Sequence, residues 1–154
     1  MVAKKIYFPK IRLTELVAAP GGIGRDDAVA AAIQNVQAIS DEGDTVMEDT
    51  IQDIGGILAS AGPRLEPVLL QTVLEHSDRI VTLAGTFGYD FLDRAARSLC
   101  DTVENMRIAN LSDTAPVAVH VDAIRLFAPG KTPRAAAAEG MLAELDRVRA
   151  YYQR

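Results

Sequence analysis

Asp78-Arg-Ile-Val-Thr-Leu-Ala-Gly-Thr-Phe-Gly88, followed by Tyr89-Asp-Phe-Leu-Asp-Arg-Ala-Ala-Arg-Ser-Leu-Cys-Asp-Thr-Val-Glu104, reads as the end of one helix, a tight turn and the start of another. The apolar residues before the turn recur every three or four positions, the helical period. At about 100° per residue, Leu69, Val73, Ile80, Leu83, Ala84 and Phe87 fall within about 60° of their mean direction and form a core face. Asp78 lies almost opposite them, towards solvent. The pattern predicts a helix from about Pro67 to Gly85, a connection at Phe87-Gly88 and a helix over about Tyr89 to Ala109, with Leu92, Ala95, Ala96 and Leu99 on one face.

Working outward, Pro20-Gly-Gly-Ile-Gly24 is the clearest break in the chain. It divides an N-terminal arm, residues 1–24, from a helical domain, residues 25–154. Asp26 offers an N-cap. From there an apolar series runs through Val29, Ile33, Val36, Ser40, Gly43, Met47, Ile51, Ile54 and Leu58. Its phase is unbroken across Asp41-Glu-Gly-Asp44, which predicts one long helix or two nearly collinear ones. Each interior glycine costs such a helix about 1 kcal/mol, and Gly62-Pro63 ends it. On the C-terminal side a helix begins at Pro116, with Val117, Val121, Ile124 and Ala128 on one face, and stops at Pro129-Gly130. Thr132-Pro133 reads as N-cap and first turn of a last helix, with Ala138, Met141, Leu145, Val148 and Tyr152 inward. No useful strand alternation follows the arm. The expected fold is all-α, an antiparallel four-helix bundle with an extended N-terminal arm.

The central stretch resembles the signature of histidine phosphotransfer (HPt) domains, in which a phosphorylatable histidine precedes the glycine of a small-residue turn by ten residues. A helix patterned Leu-x-x-x-Ala-x-x-Leu follows the turn, here supplied by Leu92, Ala95, Ala96 and Leu99. The resemblance covers about residues 64–108. It implies a two-component signalling role with a response-regulator receiver domain or a histidine kinase as partner. The histidine position holds Asp78. The family also has a lysine three residues later and a glycine four residues later, where this chain has Val81 and Thr82. A phosphotransfer imidazole is a nucleophile near neutral pH because its ordinary pKa leaves it largely neutral there. A carboxylate repels the anionic phosphoryl group and forms no phosphohistidine. The expectation is a binding module that modulates a phosphorelay without carrying phosphate, and not an enzyme.

Gln71, Leu74, Glu75, Asp78, Val81 and Thr82 share the face around position 78 and are the candidate partner-binding residues. Two readings stand for Leu74 and Val81: packing against the arm or a neighbouring helix, or an apolar docking patch. The alternative phosphoryl acceptors are His76, near the centre of the core face, and His120, at the edge of its helix's apolar face. Each also reads as a structural histidine. A structural or oligomerisation bundle is the remaining alternative, and a homodimer is a further partner option.

The chain's 154 residues suit one domain with a core that needs no metal or cross-link. A lone cysteine, Cys100, excludes an internal disulfide and a Cys-rich zinc site, and reads as a small core residue. Two histidines without HExxH, and an acidic run at 41–53 without calcium-loop spacing, leave no metal or cofactor to expect. The net charge of −5 divides unevenly. Residues 1–25 hold five basic residues and one acid, a local +4, which leaves −9 for the rest. That acidic body argues against nucleic acid as main partner. The start lacks a signal peptide's apolar stretch, and no run approaches the length of a membrane span, so a cytoplasmic chain without a membrane partner is expected.

Overall fold

The computed structural model describes residues 22–131 and 133–153; most of the N-terminal arm, through residue 21, lies outside them, as do Thr132 and Arg154. Five helices account for the described fold: α1 (Arg25–Ser60), α2 (Pro67–Phe87), α3 (Asp90–Ile108), α4 (Thr114–Phe127) and α5 (Ala135–Tyr152). The all-α expectation holds. The chain falls into two compact units, Met1–Gln37 and Ala38–Arg154.

In the first unit every described residue, 22–37, is exposed. Helix α1 starts at Arg25, two residues earlier than an Asp26 cap would place it. Gly24 accepts the first helical bond, from the Ala28 N–H at 2.8 Å, and Asp26 and Asp27 lie in the first turn, where their charge favours the positive end of the helix.

The second unit carries the core. Its contribution from α1 is Gly43, Met47, Thr50, Ile51, Ile54 and Gly55, the two glycines among them. A β-carbon at Gly43 would collide with the Phe87 ring, and one at Gly55 with the Arg125 guanidinium. The helix thus gives up propensity at these positions so that other elements can approach its backbone. Tyr89 ties the same part of α1 to the α2–α3 turn: its hydroxyl donates to the Asp44 carboxylate at 2.8 and 2.9 Å. Burial and then that carboxylate push the phenol up to about 12.

Helices α2 and α3 form a hairpin. Gly88, at φ 79°, adopts the left-handed conformation that ends α2, and the Tyr89 N–H reaches back to the Ala84 carbonyl at 2.9 Å. The core face of α2 is Leu70, Val73, Ser77, Ile80 and Ala84, rotated about 50° from the sequence expectation. Ser77 can occupy its centre because its hydroxyl donates to the Val73 carbonyl at 2.7 Å. Helix α3 packs against α2, α4 and α5. Small buried residues, Ala95, Ala96, Ser98 and Thr102, allow that approach from several sides. Arg94 forks onto Glu139 at 2.7 and 3.0 Å, linking α3 to α5 at the surface.

The loop ahead of α2 is pinned to the loop ahead of α4. The Leu65 N–H donates to the Ser112 carbonyl at 2.7 Å, and the Thr114 N–H to the Pro63 carbonyl at 3.2 Å. Helix α5 begins at Ala135 with Arg134 extended before it, later than a Thr132 cap and a Pro133 first turn would start it. Thr132 itself lies outside the described residues.

Candidate functional site

Asp78 stands exposed on α2, and the side chains around it come from three helices. Asp78 and Val81 of α2, Arg97, Cys100 and Asp101 of α3, and Arg149 of α5 line a cleft of about 280 Å³. The hairpin explains the pairing: Asp78 lies ten residues before Gly88, and Arg97 and Cys100 lie nine and twelve after it. Equal distances from a tight turn become neighbours across it.

The charges in this cleft are partly matched. Arg97 donates from Nε to Asp93 at 2.9 Å. Arg149 pairs with Asp101 at 2.9 Å and with Asp146 at 3.0 Å, while its Nε is buried without a hydrogen-bond partner. Cys100 is half-buried and borders the cleft, a correction to its reading as a core residue. Burial first, and the Asp78 carboxylate next, push its thiol up to about 12, so it stays protonated and poorly nucleophilic at neutral pH. The arrangement offers charge and hydrogen-bond recognition and assembles no nucleophile with a base.

Of the predicted binding residues Asp78 and Val81 line this cleft, and Gln71, Leu74, Glu75 and Thr82 do not. Gln71 donates to Glu75 at 2.8 Å along one side of α2. The Thr82 hydroxyl turns back onto the Asp78 carbonyl at 3.0 Å. Leu74 and Val81 are half-buried and pack against the hydrophobic core. The rotation of the core face accounts for this: both apolar residues move towards the interior and Asp78 stays outside.

The same rotation takes His76 off the centre of the core face, where Ser77 sits instead, and leaves it half-buried. His120 lies deeper than the edge of its helix's apolar face. It is fully buried; its Nδ1 donates to the Pro116 carbonyl at 2.7 Å, and its Nε2 accepts from the Ser98 hydroxyl at 3.1 Å. The Nδ1 contact decides the tautomer, since a carbonyl can only accept. Burial is the main cause that lowers the pKa of this imidazole. With both nitrogens engaged inside the core, it presents none to a phosphoryl donor.

Sequence reasoning missed Arg97, Asp101 and Arg149. Counting outward from Gly88 on both sides of the hairpin would have brought Arg97 and Asp101 to Asp78. Nothing local announces Arg149, which arrives through the packing of α5 on α3. Among the described residues no cluster of three or more histidine, cysteine or acidic side chains could hold a metal ion, and no helix is long and apolar enough to cross a membrane. No protein-family model, curated protein or solved structure matches the chain.

Proposed function

We propose that this chain is an HPt-like signalling module, an antiparallel four-helix bundle that binds a response-regulator receiver domain or a histidine kinase and modulates a phosphorelay without carrying phosphate. The observation that carries the reading is the position of Asp78. It is exposed, it follows the spacing of the family's histidine from the Gly88 turn, and it borders a cleft with two guanidinium groups. A face of mixed charge beside half-buried apolar residues suits recognition of another protein. Phosphate transfer fits it poorly, since His120 is enclosed and His76 lies on a different part of α2 from Asp78.

Titration calorimetry against the receivers and histidine kinases of the same genome tests the proposal. At least one should bind, and Asp78→Arg and Glu75→Arg, both at exposed positions, should each weaken it about tenfold or more with unchanged helical circular dichroism. Absence of binding to every one would favour a structural or oligomerisation bundle. Incubation with a phosphorylated receiver should leave no acid-labile label on the chain. A label lost in His76→Ala would establish the alternative of active phosphotransfer.

A further inference from the structure

Charge in the cleft beside Asp78 does not balance. Asp78 and Asp101 line it together with Arg97 and Arg149. Both guanidinium groups are already held, Arg97 by Asp93 at 2.9 Å and Arg149 by Asp101 at 2.9 Å and Asp146 at 3.0 Å. Four carboxylates against two guanidinium groups leave a formal −2. Asp78 is the odd one. Among the described residues it has no ion pair, whereas each of the other three carboxylates holds an arginine. Arg79 follows it in sequence, but adjacent residues on a helix do not face each other. Glu75, exposed one turn earlier on α2, adds negative charge on the same side of the helix.

Such a cleft selects the sign of what enters it. An anion would meet the uncompensated charge, and it could reach either guanidinium only by displacing a carboxylate already bonded there. A cation can pair with Asp78 and break no existing contact. The shape narrows the choice further. Val81 packs against the core, and the Cys100 thiol is half-buried and protonated, so together they give the cleft an uncharged wall. Lysine and arginine lay an apolar stem on such a wall and carry their charge at the tip. A volume of about 280 Å³ lies below the range of about 300–1,000 Å³ that drug-sized ligands occupy and suits a single side chain. A metal ion fits poorly, because the described residues gather no group of three histidine, cysteine or acidic side chains to hold one.

We propose that this cleft receives a lysine or arginine side chain of a partner protein, its stem along Val81 and Cys100 and its charged tip on the Asp78 carboxylate; this rests on the face around Asp78 being the docking surface, and not on the partner being a receiver domain or a histidine kinase. The carboxylate that bars phosphoryl transfer is then the group that binds.

Amide chemical shifts of the full chain, titrated at low salt with Nα-acetyl-lysine methylamide or Nα-acetyl-arginine methylamide, test the cleft without a partner. Saturable shifts should be confined to the residues that line it, weaken about threefold in Asp78→Asn and fade as salt rises. Nα-acetyl-glutamate methylamide should leave the same amides unmoved. Absence of cleft shifts with both cations, equal affinity in Asp78→Asn, or an equal response to the glutamate analogue each overturns the proposal. Calorimetry with a receiver or kinase that binds keeps the two roles apart. Asp78→Asn should weaken that complex about fivefold and flatten its salt dependence. A complex that holds Asp78→Asn as tightly as the wild type overturns the cation anchor and leaves the receiver or kinase role standing. Cleft shifts with the two cations, and no receiver or kinase bound, overturn that role and leave the anchor.

Discussion

Residues 29–40 and 43–54 of α1 carry one apolar repeat with one phase, yet Ile33 is 64% exposed while Ile54 is wholly buried. The apolar period itself does not separate them. What differs is whether another element has arrived: Phe87, Arg125 and the Tyr89 hydroxyl all reach the C-terminal stretch. A helical period therefore states which residues face the same way. It does not state what they face, and that information sits in distant parts of the chain.

The strongest test of the contrast is one substitution made at both ends. Ile54→Ala should destabilise the fold by about 2–5 kcal/mol, the lost transfer energy plus the cavity left among rigid neighbours. Ile33→Ala, studied where the chain is monomeric, should change stability by less than about 0.5 kcal/mol. Urea denaturation followed by circular dichroism measures both. Equal losses would mean that the two stretches are covered alike and would end the comparison.

The two histidines repeat the lesson on a smaller scale. The sequence places His76 on the core face of α2 and His120 at an edge; in the structure His76 is half-buried and His120 fully enclosed. Burial lowers the folded-state pKa of His120 below its ordinary 6.5, against the favourable Pro116 hydrogen bond. The unfolded chain thus binds the proton more readily than the folded one. Stability from this group is complete above the unfolded pKa and is lost as pH falls from there towards the folded value, with a slope of at most about 1.4 kcal/mol per pH unit. Measured by urea titration between about pH 7 and pH 5, the wild type should weaken more steeply than His120→Gln. Parallel curves would show that His120 titrates as it does in water.

The element plan was legible because its signals are local. Phe87-Gly88 marks a helix stop through a residue that tolerates φ 79°, and Gly62-Pro63 and Pro129-Gly130 break the chain by the same backbone rules. Boundaries of α2 and α3 follow the apolar period to within two residues. The face of α2 was read less well. Five apolar residues and an alanine pulled the wheel towards Leu83 and Phe87, while Ser77, which satisfies its own hydroxyl and so can be buried, counted as polar. The same limit hid the cleft at Asp78: position 78 was found from the turn, but Arg149 depends on how α5 meets α3. Local chemistry fixes where helices begin and end, and tertiary contact decides which of two neighbouring faces goes inside.

The smallest effect separates two glycines of α1 that the sequence makes equivalent. Gly43 lies where the Phe87 ring touches the helix backbone, and Gly56 has nothing near its missing β-carbon. Replacing either by alanine removes the helix penalty of glycine, about 1 kcal/mol. At Gly43 the added methyl also displaces an aromatic ring with few rotamers, and overpacking of that kind costs about 1–3 kcal/mol. Gly43→Ala should therefore lower stability by about 1 kcal/mol in net, and Gly56→Ala should raise it by about 0.5–1 kcal/mol. The opposite signs are the test, since propensity alone predicts a gain at both. If Gly43→Ala also stabilises, Phe87 has room to move, and the glycine there reflects helix composition and not the approach of a second element.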